Sequence, residues 1–275
     1  MNAPVVHPAA AIAPSVAGPE WLIEMTGLAK TYRAAGGGVV KAVDSVTAGI
    51  AAGEFVSVLG PSGCGKSTLM MMIAGLLKPT EGVVRFKGRA VTQPLRDFGF
   101  VFQDAVLLPW RTVLANVELP GEVAGVDKKQ RRAAAMKNIE LVGLHGFEDK
   151  FPHELSGGMQ QRVSIARALT LNPSLLLMDE PFGALDAITR EQMNLELQRI
   201  AIQSGATVVF VTHSISEAAF LSDRVFVMSG RPSTVKEIVR IDIPRPRPVE
   251  LLSSDQLGVT ISRLRGLLDV NGVPK

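Results

Sequence analysis

The run GPSGCGKST occupies Gly60 to Thr68. Gly60, Gly65, Lys66 and Ser67 stand at the fixed positions of the phosphate-binding pattern G-x-x-x-x-G-K-[ST]. The flanks agree with it. EFVSVLG, Glu54 to Gly60, reads as a short apolar strand, and KSTLMMMIAGLL, Lys66 to Leu77, as a helix. Strand, glycine loop and helix are the order the pattern needs. Glycines let backbone wrap closely around a phosphate chain, and the loop N–H groups form an anion nest at a helix N-terminus. Gly60, Pro61, Ser62, Gly63, Cys64, Gly65, Lys66, Ser67 and Thr68 are therefore candidate nucleotide contacts. Lys66 is expected to reach the β- and γ-phosphates, and the Ser67 hydroxyl to bind Mg²⁺. The loop alone says only that a nucleoside triphosphate binds. Kinases, GTPases, helicases and transport ATPases all carry one.

Working outward, the 275-residue chain is 47% hydrophobic, which suits one large α/β domain or one domain with an inserted subdomain. Its net charge of +3 is too small to point to nucleic acid. No apolar run approaches ~18 residues, so no membrane span is expected. No basic start precedes an apolar stretch at the N-terminus, so no secretory signal is expected. Cys64 is the single cysteine, which excludes an intrachain disulfide. It reads as a small filler side chain in the loop rather than a redox sensor. These features together point to the cytosol.

Residues 1–19 are rich in Ala and Pro without periodicity and read as a disordered tail. WLIEMTGLAKTY and VVKAVDSVTAGI read as β-segments around a glycine loop at Gly36 to Gly38. Gly82 to Phe86 and Phe98 to Phe102 are further short strands. From Thr112 to Gly143 the pattern is helical, with Asp127 as an N-cap and Gly143 as a stop. A helical subdomain over about 104–170 is expected. Further helices are expected over Gly157 to Leu171, Ile188 to Gln203 and Ser214 to Ser222. TVVFVTH is a buried strand, and RVFVMSG with STVKEIVRI resembles a terminal hairpin. The domain so outlined runs over 20–242. Residues 243–275 add an extended linker, Ile243 to Pro248, and a helix over Ser253 to Leu268.

SLLLMDE, Ser174 to Glu180, is an apolar strand ending in two carboxylates. Such a pair is costly at a buried strand end unless it meets a cation or water. The carboxyl ends of strands are also where α/β sheets place ligands. Asp179 is suited to hold Mg²⁺ through its water shell, and Glu180 to polarise the attacking water.

ELSGGMQQR, Glu154 to Arg162, decides among the phosphate-loop classes. LSGG followed by QQR and a helix resembles the signature of ATP-binding-cassette (ABC) ATPases. Met159 stands where many cassettes have Gln, and Ser156, Gly157 and Gly158 are kept. The resemblance runs from about Trp21 to Gly230. It implies a P-loop NTPase of the ABC type, an α/β fold with a RecA-like core, an N-terminal antiparallel β-subdomain and a helical subdomain. It implies that Gln103 senses Mg²⁺ and the γ-phosphate, that Asp186 faces a partner subunit, that His213 is the switch contacting the γ-phosphate, and that Tyr32 stacks on adenine. It also implies an ATP-dependent homodimer. In each of its two sites Lys66, Ser67, Gln103, Asp179, Glu180 and His213 of one copy would meet Ser156, Gly157 and Gly158 of the other, on ATP and Mg²⁺.

A cassette of this kind needs separate transmembrane permease subunits, at the cytoplasmic face of the membrane, and indirectly a solute-binding protein. Leu107, Leu108 and Trp110 are expected at or near the groove that receives the permease. LLPWRTVLANVELP with MSGRPSTVKEIVRIDIPRPR looks like the nitrate, sulfonate and taurine import subgroup, so the expected cargo is a small anion. A non-transport ABC protein would carry two cassettes or a long coiled-coil insertion. A small-substrate kinase would leave LSGGMQQR unexplained.

Overall fold

The computed structural model describes residues 21–33 and 37–268. The expected tail over 1–19, and Gly36 of the glycine loop, lie outside them. The elements in chain order are β1 (Trp21–Arg33), β2 (Val39–Ala51), β3 (Phe55–Leu59), α1 (Lys66–Ile73), β4 (Glu81–Phe86), β5 (Arg89–Ala90) and β6 (Phe98–Val101). Then come α2 (Val113–Val123), α3 (Lys128–Leu141), α4 (Gly157–Ala168), β7 (Leu175–Asp179), α5 (Ala187–Ser204) and β8 (Thr207–Thr212). The chain closes with α6 (Ile215–Leu221), β9 (Arg224–Met228), β10 (Val235–Arg240) and α7 (Asp255–Leu268).

Two sheets organise these elements. One is four-stranded, in the order β2-β1-β4-β5, and antiparallel throughout. The other has six strands in the order β10-β9-β3-β8-β7-β6. It is parallel except for the β9–β10 pair at one edge. Successive side chains of a strand point to opposite faces, and the parallel strands divide their apolar residues accordingly. Val56, Val58, Leu175, Leu177, Val209 and Val211 pack toward α1 and the antiparallel sheet. Phe55, Leu59, Leu176, Met178, Val208 and Phe210 pack toward the helices of the other face. A strand covered on both faces reads as an unbroken apolar run, which is why FVSVL, LLLM and TVVFV carry no alternation.

Helices α2, α3 and α4 pack on one another beside this sheet. The Thr112 side chain caps α2 by accepting from the Ala115 N–H at 3.3 Å, and Asp127 caps α3 by accepting from Lys129 N at 2.9 Å. Helix α1 stops at Ile73, short of the expected Leu77, because Gly75 takes a left-handed φ of +72°.

The segment Ile243 to Pro248 is more than a linker. Arg247 within it is 1% exposed. Its guanidinium donates to the carbonyls of Ala219, Phe220 and Ser222 at 2.7 to 3.1 Å, at the C-terminal end of α6. It donates also to the Ile243 carbonyl. Its own backbone exchanges two bonds with the Gln198 side chain on α5. Burial pushes its pKa down to about 10. An arginine there supplies donors to helix-end carbonyls that otherwise have none. Arg247→Ala should therefore cost about 3 kcal/mol or more of stability, read from urea unfolding followed by circular dichroism.

Candidate active site

The loops that follow β3, β7 and β8 leave from one edge of the parallel sheet. Leu59 is level with Thr212, and Val211 with Asp179. The carboxyl ends of three neighbouring strands thus bring the phosphate loop, the Asp179–Glu180 pair and His213 together.

The loop itself turns on Gly65. Its φ is +125°, and a Cβ there would lie 2.8 Å from the Ala42 carbonyl oxygen. No other residue fits both constraints. Lys66 opens α1 and is 4% exposed. Its ammonium donates to the carbonyls of Gly60 and Pro61, each at 3.0 Å, and lies 3.5 Å from Glu180 Oε1. One residue on, the Ser67 hydroxyl donates to Asp179 Oδ1 at 3.1 Å. The other Glu180 oxygen is 3.0 Å from His213 Nδ1. Lys66, Ser67, Asp179, Glu180 and His213 thus form one contact network across residues far apart in sequence.

The Asp179 carboxyl is raised above the ordinary aspartate value, first by burial and also by neighbouring Glu180, while Ser67 and Lys66 pull it down. A divalent cation beside it would reverse that shift. Glu180 sits at φ +46°, a strained region for a non-glycine residue. Its N–H donates to the Val211 carbonyl at 2.9 Å, which pins the turn.

Gln103 is exposed and lies against Gly183, where an added Cβ would stand 3.3 Å from its amide nitrogen. It thus borders the turn that follows Glu180. Asp186 caps α5, accepting from Thr189 N at 3.0 Å; the Thr189 side chain first, and then this N–H, hold its carboxyl below the ordinary value. Ser156 caps α4 by accepting from Met159 N, and Ser156 and Gly157 are exposed. A Cβ on Gly158 would meet Thr189 Cγ2 at 2.8 Å, so the starts of α4 and α5 pack closely. Among the described residues no hydrogen bond joins Ser156, Gly157 or Gly158 to the phosphate loop of the same chain. Tyr32 lies near the end of β1 with a half-exposed ring, 5.4 Å from the Lys30 ammonium. Leu107 packs against the core, Leu108 lines a groove on the helical side, and Trp110 is 71% exposed.

A family model described as ABC transporter matches residues 43–183. An ABC transporter ATP-binding protein of Methanocaldococcus jannaschii is 54% identical over 77% of this chain and 79% of its own length. The chain belongs to the ABC transporter family. Like the cassettes of that family it is an ATPase. The taurine import ATP-binding protein of Rhizobium johnstonii is 52% identical over 75% of the chain and 78% of that protein. The nitrate import ATP-binding protein of Synechococcus elongatus is 49% identical over 77% of the chain, which spans 33% of that longer protein. A bacterial ABC transporter cassette solved as a dimer superimposes with a TM-score of 0.71 at 37% identity, covering 81% of this chain and all of that one. The same cassette in a post-hydrolysis state with ADP and Pi gives 0.70 at 36% identity, over the same shares.

Three residues of the ATPase escape notice in the sequence. Gln161 and Arg167 on α4 bind the backbone around Gln103: Gln161 donates to Phe102 O at 3.0 Å, and Arg167 to Ala105 O and Val106 O at 2.9 and 2.8 Å. Gln161 falls within the QQR of the signature, its only signal, and Arg167 lies beyond that run with none. Glu217 is buried behind His213 and bonded to Thr212 at 2.5 Å; burial raises its carboxyl above the ordinary value. Nothing in ISEAA distinguishes it from a surface glutamate. For the loop, Gly65→Ala should cost about 2 kcal/mol of stability through strain and collision with Ala42. It should abolish ATP binding in equilibrium dialysis.

Proposed function

We propose that this cassette is the ATP-hydrolysing subunit of an importer for a small anion. It would work as an ATP-dependent homodimer at the cytoplasmic face of the membrane, on permease subunits fed by a solute-binding protein. The observation that carries the catalytic part is the network from Ser67 and Asp179 through Lys66 to Glu180 and His213. Lys66 is assigned to the β- and γ-phosphates, in exchange for its present loop carbonyls. Ser67, Asp179 and Gln103 are assigned to Mg²⁺. Their hard oxygen atoms suit that ion, which is usually held by one or two protein groups, phosphates and water. Bound there, it would neutralise charge on the phosphates. Glu180 orients and polarises the attacking water, and His213 holds Glu180 while facing the γ-phosphate. Phosphoryl transfer depends mostly on such positioning and charge stabilisation.

The dimer reading rests on the exposed Ser156–Gly157 nest, which its own chain leaves unused, and on the dimeric form of the related solved cassette. Asp186 would face the partner, and Tyr32 the adenine. The transport reading rests on a groove of about 910 Å³ lined by Phe98, Phe100, Phe102, Val106, Val123 and Leu171. Several of these are exposed, with Val123 at 80%. An exposed apolar surface of this kind fits an apolar partner segment. Among the described residues no helix is long and apolar enough to cross a membrane, so that segment would come from another chain. The anion reading rests on relatives named for nitrate, taurine and bicarbonate.

Glu180→Gln should bind ATP, lose hydrolysis by at least about 100-fold, and accumulate as a dimer in light scattering with ATP and Mg²⁺. Adding Ser156→Arg should return it to monomer while ATP binding survives. A Glu180→Gln chain that stays monomeric would sink the sandwich. Separately, Val123→Glu with Leu171→Glu should leave the basal ATPase of the isolated cassette intact and abolish co-purification with the cognate permease. Retained co-purification would move the permease site elsewhere.

A further inference from the structure

Arg231 lies in the turn between β9 and β10, far in sequence from the phosphate loop. Its Nε nevertheless donates to the Gly63 carbonyl at 2.5 Å. A Cβ built on Gly63 would stand 3.5 Å from Arg231 Nη2, so the guanidinium lies along the loop. Lys66 occupies the carbonyls of Gly60 and Pro61, and Arg231 that of Gly63. In a trans peptide, C=O and N–H point in opposite directions. Drawing the Gly63 carbonyl toward Arg231 therefore turns the Cys64 N–H to the other side. There it now makes a long 3.3 Å bond to Pro61 O, the same oxygen that Lys66 holds. A weakly engaged N–H beside the Lys66 ammonium is the kind of donor a phosphate takes.

The turn that carries Arg231 is itself fixed. Ser229 N donates to Thr234 O at 2.9 Å, and Thr234 N to Ser229 Oγ at 2.8 Å. Ser233 N donates to Ala42 O at 3.1 Å, and Asp44 N to Ser233 O at 2.8 Å. Ala42 O is also the atom against which Gly65 closes the loop. The β2 strand thus sets the positions of both the loop and the turn that grips it.

We infer that Arg231 is a positioning residue for nucleotide binding: it fixes the Gly63–Cys64 peptide so that the Cys64 N–H faces the phosphate chain. The inference rests on the assignment of the loop to ATP phosphates. Arg231 is exposed, so its replacement should leave the fold intact.

Isothermal titration of the full chain with ATP and Mg²⁺ tests it, with Lys66→Ala measured alongside. Arg231→Ala should raise the ATP Kd about threefold to tenfold, as expected for loss of one charge-assisted bond at a surface. Its nucleotide-free melting temperature should equal that of the wild type. Arg231→Lys should recover most of the affinity. Wild-type affinity in Arg231→Ala, with affinity lost in Lys66→Ala, would overturn the role of Arg231 alone. A matching fall in melting temperature that Arg231→Lys does not mend would reduce Arg231 to a structural contact and overturn it too. Unchanged affinity in Lys66→Ala would overturn the phosphate assignment, and this inference with it.

Discussion

The hydrogen bond from Ser67 to Asp179 spans 3.1 Å between the first turn of α1 and the last residue of β7. It exists only because β3, β8 and β7 end level. Strand residues advance about 3.3 Å each, so a slip of one residue along either ladder would break the bond. The same slip would turn Leu176 and Met178 toward the opposite face, and Leu175 and Leu177 with them. The two apolar cores therefore hold the site in register. Every residue of β8, the strand between β3 and β7, is buried. The precision of the site is set by packing far larger in energy than any contact within it.

That surplus is what permits strain at Glu180. A non-glycine residue at φ +46° costs on the order of 1 kcal/mol or more. It persists because its N–H is held by Val211 and its carboxylate by Lys66 and His213. The next turn closes with Gly183 N bonded to Glu180 O at 3.0 Å, which brings Gly183 beside Gln103. Gln103 in turn follows Phe102, whose carbonyl is held by Gln161 of the signature helix. Physical continuity thus runs from the carboxylate pair, through the Gln103 loop, to the start of α4. Ser156 and Gly157, the exposed residues there, are linked to the site mechanically although they do not enter it.

The parts of this arrangement legible in sequence share one property: their chemistry is local. A glycine loop followed by Lys and Ser, an apolar strand ending in Asp–Glu, and a histidine after TVVFVT each declare themselves within ten residues. The parallel core strands were legible because burial on both faces leaves an unmistakable apolar run. The two long strands β1 and β2 of the antiparallel sheet were also read as β-segments, to within one residue at their ends, although their pairing is irregular. Irregular pairing along β1 and β2, with Gly27 and Ser45 at positive φ, breaks their alternation. Most of what stayed hidden depends on backbone carbonyls. Arg167, Arg231 and Arg247 all donate to peptide oxygens, and a carbonyl carries no sequence mark. Arg247 lies in the stretch read as an extended linker and is among the most buried side chains described. Its neighbour Arg245 does pair with a carboxylate, Asp223, at 2.7 Å, so composition could not separate the two.

The polar groups of the site satisfy one another. Lys66 spends its charge on two carbonyls and Glu180, and Ser67 spends its hydroxyl on Asp179. Asp179, buried beside a second carboxylate, is raised toward its protonated form. An anion arriving alone would have to take Lys66 from Glu180 and would face both carboxylates. A divalent cation arriving alone would meet a partly desolvated aspartate without counter-charge from phosphate. On the proposed assignment they would offset each other: the cation would lower Asp179 and screen Glu180, and the phosphates would replace the carbonyls of Lys66. On the assignment proposed above, selection for a metal–triphosphate pair over either component would follow from the mutual neutralisation of Lys66, Asp179 and Glu180.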